Sequence, residues 1–231
     1  MSQVTANLML VKQRLELAAL AAKREPEDIQ LLAVSKTFPA IAVEEAMHAG
    51  QTAFGENYVQ EGVEKIQQLA KLRPWLEWHF IGPIQSNKTQ SIAQHFEWVH
   101  GVDRLKIAQR LNDARANQLP LQICLQVNIS GEESKSGVNP EELITLAQEV
   151  TKLPHIKLRG LMAIPEPTED PTIQRAQFIK MRTLFEHLNQ LGYQLDTLSM
   201  GMSNDYMIAI EEGATIVRVG SAIFGARPAK D

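Results

Sequence analysis

The sequence predicts an α/β fold: a single (β/α)8 barrel of the TIM type with an extra N-terminal helix. Three observations point to it. Short apolar segments recur eight times between residues 29 and 219. Segments of helical periodicity separate them, as parallel strands require of their crossovers. No glycine-rich dinucleotide loop follows the first strand, where Ser35-Lys36-Thr37 stands instead. That disfavours an open doubly wound sheet, the competing architecture.

The elements follow in order. Residues 4–23 place Leu8, Val11, Leu15, Ala18, Ala19 and Ala22 at helical spacing, so residues 1–25 are expected to pack on the barrel as the extra helix. Strands are expected at 29–36, 52–56, 78–82, 98–102, 122–129, 158–164, 197–200 and 216–219. Helices are expected at 41–49, 58–71, 86–95, 104–117, 140–152, 173–191 and 205–211. Gly50, Gly192 and Gly213 stand where helices end. Asn139-Pro140-Glu141-Glu142 reads as a helix start, with Asn as the cap, Pro in the first turn and the acids at the positive end of the dipole. The loops 130–139 and 165–171 both follow strands, which in a barrel puts them on the face that carries active sites.

Composition bounds the function. The chain has 231 residues, 44% of them hydrophobic, and no low-complexity linker divides it, so residues 1–231 are read as one domain. The net charge is -4 and no basic block appears, which leaves nucleic-acid binding without support. Cys124, the single cysteine, lies in an apolar run and excludes a disulfide framework or a cysteine-rich metal site. His48, His95, His100, His155 and His187 lack metal-ligand spacing. No secretory signal opens the chain and no stretch is apolar enough to cross a bilayer, so a cytoplasmic protein is expected.

The chemistry gathers at strand ends. Lys36 closes an apolar strand, and Pro39 stops the pairing soon after. Taken alone, such a lysine simply marks the end of a strand. Partly desolvated, its amine suits a Schiff base with an aldehyde or ketone. In a barrel, Asn57, His79, Met162, Ser199, Gly201, Ser203, Arg218, Gly220 and Ser221 reach the same mouth. The loops after strands seven and eight often bind phosphate in this fold. Ser203 and Gly220 taken singly read as a helix cap and a turn, but with Ser221 and opposite a strand-end lysine they read as a phosphate cradle. Arg218, inside an apolar strand, needs a partner: either Glu56 in a salt bridge or a ligand acceptor. A lysine, a phosphate cradle and an arginine donor together match the aldehyde, phosphate and ring nitrogen of pyridoxal 5′-phosphate (PLP).

The motifs also resemble a known family. They are Leu32-Ala33-Val34-Ser35-Lys36-Thr37, Phe54-Gly55-Glu56-Asn57, Trp78-His79-Phe80-Ile81-Gly82-Pro83, Asn128-Ile129-Ser130, Arg159-Gly160-Leu161-Met162-Ala163, Leu198-Ser199-Met200-Gly201-Met202-Ser203 and Val217-Arg218-Val219-Gly220-Ser221. Over nearly the whole chain they resemble the pyridoxal phosphate homeostasis proteins (the YggS/PROSC family), which are similar to the barrel domain of fold-type III enzymes such as alanine racemase. The resemblance implies that Lys36 bears PLP as a Schiff base and that Ser203, Gly220 and Ser221 hold its phosphate, with Ser199 and Gly201 in the same segment. It implies that Arg218 faces the pyridine nitrogen and that Asn57, His79 and Met162 line the pocket. Phe38 departs from relatives that carry a second lysine there.

A cofactor site need not be an enzyme. Arg218 opposite the ring nitrogen would weaken the ring as an electron sink. The chain ends six residues after Gly225, so the β-domain that supplies an opposite-face tyrosine in alanine-racemase-like enzymes is not expected, and Tyr58, Tyr193 and Tyr206 are no evident substitutes. The preferred expectation is a non-catalytic or barely catalytic PLP holder that buffers or delivers the cofactor to PLP-requiring apo-enzymes, and the resemblance suggests a monomer. The alternatives are a racemase using His79 or Tyr58 as opposite base, and an aldolase using Lys36 directly on a sugar phosphate. Lys135, in the loop over the mouth, is a candidate second site or relay.

Overall fold

Eight parallel strands close on one another in sequence order in the computed structural model, which describes residues 2–131 and 136–226. They are β1 (Gln30–Val34), β2 (Ala53–Glu56), β3 (Glu77–Phe80), β4 (Trp98–Val102), β5 (Leu121–Gln126), β6 (Ile156–Met162), β7 (Thr197–Met202) and β8 (Ile216–Val219). The barrel shuts where β1 pairs with β8, from Gln30↔Ile216 to Ala33↔Val219. The helices are α1 (Gln3–Ala21), α2 (Ala40–His48), α3 (Val59–Gln68), α4 (Thr89–His95), α5 (Leu105–Ala114), α6 (Leu143–Val150), α7 (Pro171–Gln190), α8 (Tyr206–Glu211) and α9 (Ser221–Phe224). The predicted (β/α)8 barrel with its extra N-terminal helix is the observed fold.

Alternation along the strands sorts the side chains. Leu31 and Ala33 face outward into the large core shared with the helices, together with Phe54, Trp78, Phe80 and Val99. Leu32 and Val34 face inward and meet Ala53, Ile81 and Ile216. A second interior cluster is Trp98, Cys124 and Met162. Because both faces are covered, several strands read as continuous apolar runs. Helix α1 opens with Ser2, whose hydroxyl accepts the Thr5 N–H at 3.2 Å, and buries Leu8, Val11, Leu15 and Ala19 against α2, α8 and α9.

Several boundaries differ from expectation. β1 ends at Val34, so Lys36 stands beyond the last ladder bond. Residues 86–88 form a 3-10 turn ahead of α4. Asn139 does not cap a helix with its side chain; Pro140–Glu142 is a 3-10 turn and α6 begins at Leu143. The 3-10 segment Ala70–Trp75 and the single-turn α9 were not expected, since neither is long enough to show a periodicity. Among the described residues no helix is long and apolar enough to cross a membrane. Lys135 lies outside the described residues.

Candidate functional site

The inward face of β1 carries Leu32, Val34 and then Lys36, two residues apart each time, which delivers the Lys36 side chain to the barrel mouth. Its neighbours are clamped. The Ser35 hydroxyl donates to Glu56 Oε1 at 2.6 Å, and Lys65 Nζ donates to the Ser35 carbonyl at 2.8 Å and to Glu56 Oε1 at 2.5 Å. On the other side, Thr37 sits at φ 69°, a region disfavoured for a β-branched residue, and its N–H donates to Glu61 Oε1 at 2.5 Å. Strand β2 and helix α3 thus fix the turn that carries Lys36. Glu56 is therefore the partner of Lys65 rather than of Arg218, because its carboxylate lies on the outer side of the barrel under α3. Burial pushes its carboxyl up, and Lys65 opposes that shift.

Lys36, Asn57, Ser203, Arg218, Gly220 and Ser221 meet around a cavity of about 160 Å³ whose apolar walls include Val34, Phe38, Ile81, Ile164 and Met202. Asn57 is held by close backbone packing: a Cβ on Gly82 would lie 2.1 Å from the Asn57 carbonyl oxygen, so only glycine fits there. The Asn57 Oδ1 is buried and has no hydrogen-bond partner. Gly201, at φ 90°, turns the chain over α8, where a Cβ would meet that of Ala209 at 2.6 Å. The turn leaves Met202 and Ser203 at the mouth. Asp205, at the N-cap position of α8, accepts the Met202 N–H at 2.6 Å, so Ser203 is not the cap. Gly220 opens α9, and a Cβ there would come within 3.2 Å of the Val34 carbonyl oxygen.

Arg218 is the buried cation of the site. Nη1 donates to the Ser199 carbonyl and hydroxyl, each at 2.8 Å, and Nη2 donates to the Ala163 carbonyl at 2.8 Å. These bonds occupy three of its five N–H groups. None of the acceptors is a carboxylate. Burial lowers the guanidinium to about 10, against the field of Asp205, so it stays protonated at neutral pH.

Four expected site residues do not line the cavity. His79 and Met162 lie in the barrel interior: His79 is stacked on Trp98, with ring centroids 5.3 Å apart, and Met162 packs against Trp98 and Cys124. The expectation that they face the mouth is off by one layer. With a period of two, the mouth-facing residues on those strands are Ile81 and Ile164. Ser199 sits behind Arg218 as its acceptor, and Gly201 acts through its backbone turn. The sequence reading also missed His100, whose Nε2 lies 2.9 Å from His79 Nδ1 and whose Nδ1 lies 2.8 Å from Ser199 Oγ. A polar residue within the apolar stretch Trp98–Val102 was the available signal. Among the described residues no group of three or more His, Cys, Asp or Glu could hold a metal ion.

Known proteins share this arrangement of the chain. The family described as alanine racemase, N-terminal domain, matches residues 10–228. The pyridoxal phosphate homeostasis protein of Pseudomonas aeruginosa is 59% identical over 228 residues, covering 98% of this chain and 97% of that protein. Its counterpart in Haemophilus influenzae is 56% identical over 224 residues, covering 96% of this chain and 94% of that protein. Among solved structures, PipY of Synechococcus elongatus with PLP bound superposes with a TM-score of 0.80 at 39% identity, over 91% of this chain and 98% of that one. The chain belongs to the alanine racemase N-terminal domain family and, within it, to the pyridoxal phosphate homeostasis proteins.

Proposed function

We propose that this protein holds PLP at the barrel mouth, with Lys36 as the attachment point, and buffers or delivers it. One observation carries the reading. Lys36 and Arg218 bring two cationic side chains to a cavity whose wall, among the described residues, includes no carboxylate, next to the unpartnered Asn57 Oδ1. Such a cavity favours an anion that also offers a donor and a carbonyl. PLP, when bound, supplies an aldehyde for an amine, a phosphate for backbone and hydroxyl donors, and a ring nitrogen for an arginine. The residues fit that set. Ser203 and Ser221 offer hydroxyls, and Gly220 lets backbone approach the phosphate closely. The two Arg218 N–H groups not used by Ser199 and Ala163 suit the ring nitrogen. A guanidinium that keeps its proton there donates a hydrogen bond without protonating the ring, which suits storage more than electron withdrawal.

Holding without turnover has a second support. Among the described residues the cavity wall contains no His, Tyr, Cys, Asp or Glu to act as an opposite acid or base. A racemase reading through His79 loses its group, because both ring nitrogens are engaged inside the barrel, by His100 and Glu77. Tyr58 is half-exposed at the start of α3, away from the wall. We place the protein in the cytoplasm as a monomer that passes PLP to apo-enzymes; a fully buried, unpaired Cys124 suits a reducing compartment. The test is the absorbance spectrum of purified wild type and Lys36→Ala, followed by PLP transfer to an apo-enzyme. A bound-aldehyde band lost in the variant, together with transfer by the wild type, is expected. Robust amino-acid turnover abolished by Lys36→Ala would overturn the storage reading, and a colourless protein trapped by borohydride only with a sugar phosphate would replace it with the aldolase.

A further inference from the structure

A line of five polar side chains crosses the barrel interior, and PLP binding as described uses only the last. Glu77 stands at the start of β3, at the barrel floor, with its side chain 40% exposed. Its Oε1 is 2.8 Å from His79 Nε2. His79 Nδ1 is 2.9 Å from His100 Nε2, and His100 Nδ1 is 2.8 Å from Ser199 Oγ. Ser199 Oγ accepts from Arg218 Nη1 at 2.8 Å. His79, His100 and Ser199 are fully buried.

The two ends dictate one direction. Arg218 can only donate, so the Ser199 hydroxyl has His100 Nδ1 as the acceptor for its own proton. His100 then carries its proton on Nε2 and gives it to His79 Nδ1. His79 carries its proton on Nε2 and gives it to the Glu77 carboxylate, which can only accept. Every link is satisfied, and both rings are neutral. A further proton on His79 would reverse the two inner links and bring two donors to Ser199 Oγ, leaving the buried hydroxyl proton without an acceptor. A chain aligned in this way polarises each of its bonds in the same sense.

We infer that Ser199, His100 and His79 are positioning residues for Arg218, and that Glu77 is a remote counter-charge wired to the ligand site. Among the described residues no carboxylate touches Arg218, and Asp205, whose field reaches it, is engaged by the Met202 N–H. The chain fixes the guanidinium at the cavity wall and links it to a negative charge at the opposite end of the barrel. The identity of the ligand rests on the PLP reading; the direction of the chain does not.

The experiment uses the full chain, PLP as the probe, and imidazole 15N spectra as a readout that needs no ligand. Both rings are expected neutral and protonated on Nε2. Ser199→Ala should release PLP about tenfold faster and Glu77→Gln about threefold faster, each with a shifted absorbance maximum for bound PLP. Glu77→Gln keeps an acceptor for His79 and removes only the charge. Should Ser199→Ala fail to fold, Glu77→Gln at the half-exposed floor carries the comparison. Rings protonated on Nδ1 or on both nitrogens would overturn the inference, as would wild-type PLP release and spectrum in both variants. A wild type that binds no PLP sinks the binding reading instead, and the imidazole spectra, with their response to Glu77→Gln, then decide the chain.

Discussion

The barrel mouth and the outer side of β1 and β2 each bury a cation, and they satisfy it in opposite ways. Lys65, 4% exposed, donates to two carboxylates, Glu56 and Glu61, and to the Ser35 carbonyl. All three of its protons have acceptors. Arg218, also 4% exposed, donates only to the Ser199 carbonyl and hydroxyl and the Ala163 carbonyl, with two N–H groups left over. One fold thereby commits one buried cation to architecture and leaves the other uncommitted. A charge neutralised by carboxylates is consumed in holding the backbone, here the turn that carries Lys36. A charge held by neutral dipoles keeps its field and leaves its spare donors uncommitted.

Substitutions can break this contrast, and the largest effect is expected at Lys36. Lys36→Ala should abolish the bound-PLP absorbance band while leaving thermal stability near wild type. Next comes Lys65→Met. It strands Glu56 as a buried, unpaired carboxylate and should cost about 3–5 kcal/mol in denaturant unfolding. Adding Glu56→Gln should recover a large part of that loss, and a double mutant no more stable than Lys65→Met would deny that the pair is the cause. Arg218→Met should show the reverse balance: a smaller loss of stability than Lys65→Met, but PLP binding weakened about tenfold or more. Equal stability losses at the two sites would erase the distinction drawn between them.

Acid titration sharpens the comparison further. Burial pushes the Glu77 carboxyl up, but the hydrogen bond from His79, the field of that ring once it gains a proton in acid, and hydrogen bonds from Gln30 and Trp98 bring it down from 4.5 to about 2. A carboxyl with a depressed folded pKa stabilises the fold above its unfolded value and loses that contribution as the pH falls. The loss should therefore run from about pH 4.5 down to 2, and Glu77→Gln should flatten that part of the acid unfolding curve. The smallest effect is expected at the exposed pair Lys152–Glu149, where Lys152→Ala should leave the melting temperature unchanged within error.

Much of this was legible in the sequence. Eight apolar segments alternating with helical ones specify a closed parallel barrel, because parallel strands need crossovers and each crossover here is a helix. Lys36, Asn57, Ser203, Arg218, Gly220 and Ser221 stand at strand ends, and the structure brings all six to one cavity. What could not be read was depth. His79 and Met162 lie on the correct face of their strands but one layer inside the mouth, and Ile81 and Ile164 take the places expected of them. The partner of Arg218 was also illegible: Glu56 is a carboxylate at a strand end, as a partner should be, yet it faces α3.

The barrel, the extra helix, and the lysine and glycine-serine segments at the strand ends follow from the order of residues alone, since each depends on a local period or a local turn. Closure of the barrel sets which layer each inward residue occupies, which carboxylate meets which cation, and that Glu77, His79, His100, Ser199 and Arg218 touch in series. Those outcomes depend on the stagger between neighbouring strands around the closed barrel. Stagger is set by all eight strands together, and no single segment contains it.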